Sequence, residues 1–205
     1  MLQIEPQALN APGDALPRPH DNCYWLIPGQ MLAGEHPGAK STEQTERRAD
    51  ALINAGVRCV IDLTEATEGL PPSALALQAA AAQQGQTVHI EPFPIADYGV
   101  PSAATMRAVL AAIDHALRAG ELIYLHCHGG IGRTGTVVGC WLVEQGFTPD
   151  QALHLLAQKW RAMAKRDRAP VSPETDEQRE FIAAWQPSAG VATPAATPAA
   201  AKITP

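Results

Sequence analysis

Apolar positions along the chain change period several times. "CYWLIPGQMLAGEHP" (23–37) holds two short apolar runs around the turn residues Pro28 and Gly29, which predicts two short strands. "STEQTERRADALINAG" (41–56) opens on Ser/Thr caps and closes on Gly56, the pattern of a helix with a C′ glycine. "VRCVIDL" (57–63) predicts a strand, and the alanine-rich "PPSALALQAAAAQQG" (71–85) a helix started by proline. "TVHIEPFPI" (87–95) predicts a strand that Pro92 and Pro94 must end. In "SAATMRAVLAAIDHALRAG" (102–120), Met106, Val109, Leu110, Ile113 and Leu117 recur at helical spacing behind a Ser102 cap. "ELIYLHC" (121–127) is apolar throughout, as expected of a strand buried on both faces.

Helical signals fill the rest. They cover 135–146, 148–163 behind a Thr148 cap with Pro149 at N1, and 172–185, which starts the same way at Ser172-Pro173 with Glu174 in the first turn. Strand–helix alternation followed by a helical half predicts an α/β fold, a central, mostly parallel β-sheet flanked by helices. Residues 1–20 lack periodicity and read as an irregular lead-in. The Ala-Thr-Pro repeats at the far end offer almost nothing to bury, so 187–205 is expected to be a disordered tail. The folded domain is therefore placed at 21–186.

Composition narrows the partners. A net charge of −6 offers no general attraction to nucleic acid or an anionic membrane. "KWRAMAKRDR" (159–168) is the local exception, read as a solvated helix end. No stretch of about 18 apolar residues exists to span a membrane, and no basic region precedes an apolar core at the N-terminus. Four cysteines in unlike contexts, with no CxxC pair, suggest neither a disulfide scaffold nor zinc. The expectation is a soluble, cytoplasmic monomer that needs neither metal nor cofactor.

The chemistry concentrates in "YLHCHGGIGRTGTVVGC" (124–140). A strand, a glycine-rich turn and a helix N-terminus together hold an anion. Glycines let successive N–H groups converge, and the helix dipole adds partial positive charge. Arg133 adds a planar fork that fits two phosphate oxygens. Surroundings of this kind also favour the thiolate of an embedded cysteine, lowering a free value of about 8.5 to roughly 3.5–7.5. The field that binds phosphate thus prepares Cys127 to attack it. A Walker-type loop is excluded because no lysine follows the glycines.

His126, Cys127, five intervening residues, Arg133 and Thr134 resemble the signature of the cysteine-based protein tyrosine phosphatase superfamily. The likeness spans about 165 residues. Its size is similar to the compact dual-specificity branch, which includes relatives of cyclin-dependent kinase inhibitor 3. The resemblance implies a phosphocysteine mechanism. Cys127 would be the nucleophile; Arg133 would bind phosphate with the amides of His128, Gly129, Gly130, Ile131 and Gly132. Thr134 would stabilise the leaving thiolate, and His126 would hold the loop without acid–base work. The family's acid lies about thirty residues upstream as an aspartate shortly before a proline, which maps onto Asp97 and Pro101. Asp114 is a poor rival in mid-helix. Gln178 maps onto a glutamine that approaches the active site and could position water, though an exposed helical residue is an equal reading. Glu65 is weighed as a pocket residue, with a plain turn role preferred.

The implied partner is a phosphorylated protein or a small phosphate ester. Phosphotyrosine, with phosphoserine and phosphothreonine, is the first reading. A small phosphorylated metabolite and a catalytically silent phosphate-binding module are the alternatives. The second alternative needs neither Cys127 nor Asp97. No lysine stands at 128–132, which argues against inositol lipids.

Overall fold

The computed structural model describes Leu9 and residues 16–187. Five strands form one sheet: β1 (Cys23–Ile27), β2 (Met31–Glu35), β3 (Val57–Asp62), β4 (His89–Pro92) and β5 (Leu122–Cys127). Their order is β1-β2-β5-β3-β4. The β1–β2 hairpin is antiparallel and the remaining pairs are parallel. β5 lies at the centre with all six residues buried, which is why its sequence shows no polar alternation. β4 is an edge strand, so Pro92 is tolerated there without an N–H.

Helices cover both faces. α1 (Thr42–Asn54) and α2 (Ala74–Gln83) pack with Leu52, Ile53, Leu77 and Val60 on one side. α3 (Ala103–Arg118), α4 (Gly132–Glu144), α5 (Pro149–Trp160) and α6 (Asp176–Ala184) build the larger core on the other. Every residue of α4 is buried. Gly139 lets α6 close in, because a Cβ there would lie 2.3 Å from Ile182 Cδ1. Trp185 closes the core and donates from Nε1 to Glu144.

Several boundaries differ from the sequence expectation. Pro71 and Pro72 precede α2, which starts at Ala74 behind Ser73. α6 starts not at Ser172 but behind Thr175, whose side chain caps Gln178 N while the Gln178 side chain returns to the Thr175 backbone. This reciprocal box satisfies two backbone donors and outcompetes the Ser-Pro start. Ser172 instead donates to the Ile131 carbonyl at 2.8 Å. Leu9, inside the presumed lead-in, is fully buried in the larger core. The Ala/Thr/Pro tail lies, but for its first residue, outside the described residues.

Candidate active site

α4 begins three residues earlier than its apolar pattern predicts, at Gly132. Arg133 and Thr134 therefore sit in its first turn, and the connecting loop is only His128–Ile131. The cause is tertiary. Gly132 lies against the Gln178 amide and Gly135 against Ser172 and Pro173, approaches that a Cβ at either position would block. Gly130 meets two demands at once. Its φ is +71°, and a Cβ would lie 2.4 Å from the Gly34 carbonyl carbon on β2.

Most carbonyls of the strand end and the loop are taken by donors from other elements. Leu63 N donates to His126 O at 2.9 Å, and His36 N to His128 O at 3.0 Å. Lys165 Nζ donates to Gly129 O at 2.8 Å, and Ser172 to Ile131 O. No N–H of residues 128–131 donates to a protein acceptor among the described residues. A run of unengaged N–H groups at a helix start is suited to an anion. Cys127, 3 % exposed, ends β5 at its base.

Arg133 is 1 % exposed and bound on two of its edges. Glu68 takes the end-on fork, with Nη1–Oε1 at 2.5 Å and Nη2–Oε2 at 3.0 Å. Nη1 also donates to Ile95 O at 3.0 Å. Asp97 Oδ1 sits 2.8 Å from Nη2. A guanidinium has five N–H donors. The edge left for a phosphate is therefore Nε–H together with the Nη2–H that Asp97 occupies. Burial pulls the Arg133 pKa down, but the hydrogen bond to Glu68 and the charges of Cys127, Glu68 and Asp97 outweigh it, and the net shift is upward. The same hydrogen bond holds the Glu68 carboxyl below its usual range.

Asp97 lies in a turn closed by Gly99 N donating to Ala96 O, between β4 and α3. Its carboxylate is about half exposed. Neighbouring Tyr98 has φ +60° and is exposed. Gln178, predicted as either a site residue or an exposed one, is fully buried. Its Oε1 accepts from Glu174 N and Thr175 N, and its Nε2 donates to Gly99 O at 3.0 Å. It thus joins the Asp97 turn to Gly132. The Thr134 hydroxyl is buried with no hydrogen-bond partner among the described residues. His126 is 1 % exposed, its Nδ1 3.3 Å from Cys127 O and 3.7 Å from Asp62. Burial lowers its pKa to about 4 against the opposing pull of Asp62. It stays neutral near pH 7.

Three residues of this region escape sequence reasoning. Glu68, not Glu65, reaches Arg133; Glu65 precedes a 3-10 turn (Ala66–Glu68) that aims Glu68 inward. Lys165, assigned to a solvated basic end, is largely shielded and pairs with Glu35 at 2.6 Å and with the Gly129 carbonyl. Glu35 is the hub, also bound by Arg48 at 2.8 Å and Asn22 at 3.2 Å. Burial pushes the Glu35 carboxyl up, but Lys165, Asn22 and Arg48 bring it below its ordinary value. The capping pattern Glu65-x-x-Glu68 was a usable signal. Nothing local marks Lys165 or Glu35.

Residues 20–182 match the family model described as Swiss Army Knife protein, DSP-PTPase phosphatase domain. Protein tyrosine phosphatase domain-containing protein 1 of Bos taurus is 39% identical over 64 residues, 31% of this chain and 8% of that protein. The chain thus spans less than a tenth of the length of the first curated relatives it matches. The phosphatidylglycerophosphate phosphatase PTPMT1 of Arabidopsis thaliana is 31% identical over 128 residues, 56% of this chain and 35% of that protein. Among solved structures, Tk-PTP in the active form is 27% identical with a TM-score of 0.56, covering 75% of this chain and 88% of that one. A kinase associated phosphatase, 21% identical over 74% of this chain and 83% of its own, shares the fold at a TM-score of 0.59. With the family model matched from His20 to Ile182, the chain belongs to the dual-specificity branch of the protein tyrosine phosphatase superfamily.

Proposed function

We propose that this domain hydrolyses phosphate monoesters through a phosphocysteine intermediate, and that its substrate is phosphotyrosine in proteins, with phosphoserine and phosphothreonine in its scope. The observation that carries the reading is the side-on edge of Arg133, held only by the half-exposed Asp97 carboxylate, beside the unengaged loop amides. Phosphate oxygens take Nε–H and Nη2–H, which displaces Asp97 from Arg133. The Cys127 sulfur attacks phosphorus as the bond to the leaving oxygen breaks, and protonated Asp97 delivers its proton to that oxygen. Water then attacks phosphorus, Asp97 takes a proton back, and the sulfur departs as thiolate. Thr134, whose hydroxyl is otherwise unpartnered, donates to that sulfur. Neutral His126 holds the strand end. Gln178 fixes the Asp97 turn through Gly99 and stands beside Gly132, where it can orient the attacking water. Arg133 and the amides of 128–132 stabilise the equatorial charge, so the chemistry needs no metal.

A second reading is a small or lipid phosphate ester, favoured by the Arabidopsis relative's name. The absence of lysine at 128–132 speaks against substrates carrying further phosphates. Retention of both Cys127 and Asp97 speaks against a silent binding module. Comparing kcat/KM on phosphopeptides with that on small and lipid phosphate esters separates these readings. Cys127→Ser should abolish turnover with the fold intact; residual turnover of an aryl phosphate would reject the nucleophile. Asp97→Asn should cost roughly 10²–10⁴-fold on a phosphopeptide and much less on a nitrophenyl ester, whose leaving group needs little proton help. An equal loss on both esters would assign Asp97 a structural role only.

A further inference from the structure

At the opposite end of the sheet, Cys59, His89 and Glu121 bring a sulfur, a ring nitrogen and a carboxylate oxygen within 4.8 Å of one another. The topology makes this meeting. Cys59 on β3 is the register partner of His89 on β4, and Glu91 follows two residues on, facing the same side. Glu121 precedes β5, on the other side of β3, just past the end of α3. Helix C-termini carry partial negative charge, which favours a cation there.

The spacing fits metal ligation better than hydrogen bonding. His89 Nε2 lies 3.4 Å from Glu121 Oε2 and 3.5 Å from Glu91 Oε1. Both exceed the roughly 2.7–3.2 Å of a good N–H···O bond. The His89–Glu121 spacing matches the edge of a tetrahedron whose metal–ligand bonds are about 2.0–2.2 Å, roughly 3.3–3.6 Å. The sulfur lies buried beneath, while His89 and the two glutamates reach solvent and leave a route in.

We propose that Cys59, His89 and Glu121 form a three-ligand binding site for a zinc-class divalent cation that ties edge strand β4 to β3 and β5, with the Glu91 carboxylate beside His89. One sulfur, one imidazole and one carboxylate are a donor set suited to zinc, and Glu91 adds negative charge close by. Binding replaces the Cys59 S–H bond by a sulfur–metal bond and releases one proton to solvent. Five residues of β5 separate Glu121 from Cys127, six residue steps or roughly 20 Å of strand, so the ion is structural and takes no part in hydrolysis.

The test uses the full chain carrying Cys127→Ser, which removes the active-site sulfur as a ligand. Glu68, Asp97 and His128 also cluster within 4.8 Å, but offer only oxygen and nitrogen. Titration with cobalt(II) should produce a thiolate-to-cobalt charge-transfer band that saturates at one equivalent, disappears on adding zinc, and is absent when Cys59→Ala is added. Zinc at about 100 times its Kd should raise Tm by roughly 5–10 °C. His89→Ala, at a half-exposed position that folding tolerates, should weaken zinc binding at least about tenfold. In the chain with Cys127 restored, it should leave kcat/KM unchanged. No charge-transfer band, or a band that survives Cys59→Ala, overturns the site.

Discussion

Arg133 is the residue on which the site turns, and its neighbours set three expectations. Arg133→Lys replaces a planar fork by a point charge, which cannot face both Glu68 and phosphate, so kcat/KM should fall by at least about 10²-fold. Near-normal kinetics in that variant would reject bidentate phosphate binding. Glu68→Gln keeps the side chain's shape but loses the charge that orients the guanidinium. A misplaced fork should lower kcat/KM by about 10²-fold, with weaker binding of inorganic phosphate. Tighter phosphate binding would instead mark Glu68 as a competitor for Arg133. Asp97→Ala should tighten phosphate binding severalfold while slowing turnover, because it vacates the Nη2 edge. Phosphate affinity equal to or below that of the parent would show that Asp97 does not hold that edge.

The decisive element is the turn joining β5 to α4. Its glycines answer different needs, and Gly130 is the most constrained. Gly130→Ala would place a side chain at φ +71° and drive a Cβ into Gly34. The cost should be about 2–4 kcal/mol from backbone strain and displaced β2, read by urea unfolding, with most activity lost. A stability change within about 0.5 kcal/mol would contradict the packing of the loop on β2. The candidate residues of this turn were legible because Cys127, Arg133 and Thr134 lie within eight residues of one another. The start of α4 was not, since glycines carry little helix propensity and the first turn forms only when Gln178 and Ser172 pack against it. The same limit affects α6, where two capping signals competed and the box at Thr175–Gln178 prevailed.

For the whole molecule, buried neutral histidine makes stability depend on pH. The His126 pKa falls from 6.5 when exposed to about 4 in the fold. The unfolded chain therefore binds its proton first as pH drops. The stability this residue contributes is complete above pH 6.5 and is lost between about 6.5 and 4, by about 3 kcal/mol. Burial also lowers His20 to about 4, so it adds loss in the same window. Glu35 and Glu68, held below their usual values, lose their contribution only at lower pH, as each falls through its folded pKa. Urea unfolding at pH 7 and at pH 4.5 should show the loss, and a His126→Gln variant should show a shallower one. Stability that is flat or rising over that interval would refute a neutral buried His126.

By itself, the sequence determined the α/β class, the strand and helix order, and Cys127, Arg133 and Asp97 as candidate site residues. These depend on periodicity, on caps, and on a motif whose parts are close in the chain. Only the tertiary structure decided what meets across distance. It placed Glu68 on Arg133, Lys165 and Glu35 beneath Gly129, Gln178 between the two loops, and Cys59 beside His89 and Glu121. Each of these residues reads locally as an ordinary surface or strand residue. Its partner is fixed by strand order and helix packing, for which no local pattern encodes a distance. The physical reason is that periodicity reports which face of an element is buried, whereas a charged or ligating side chain acquires its role from the element packed opposite.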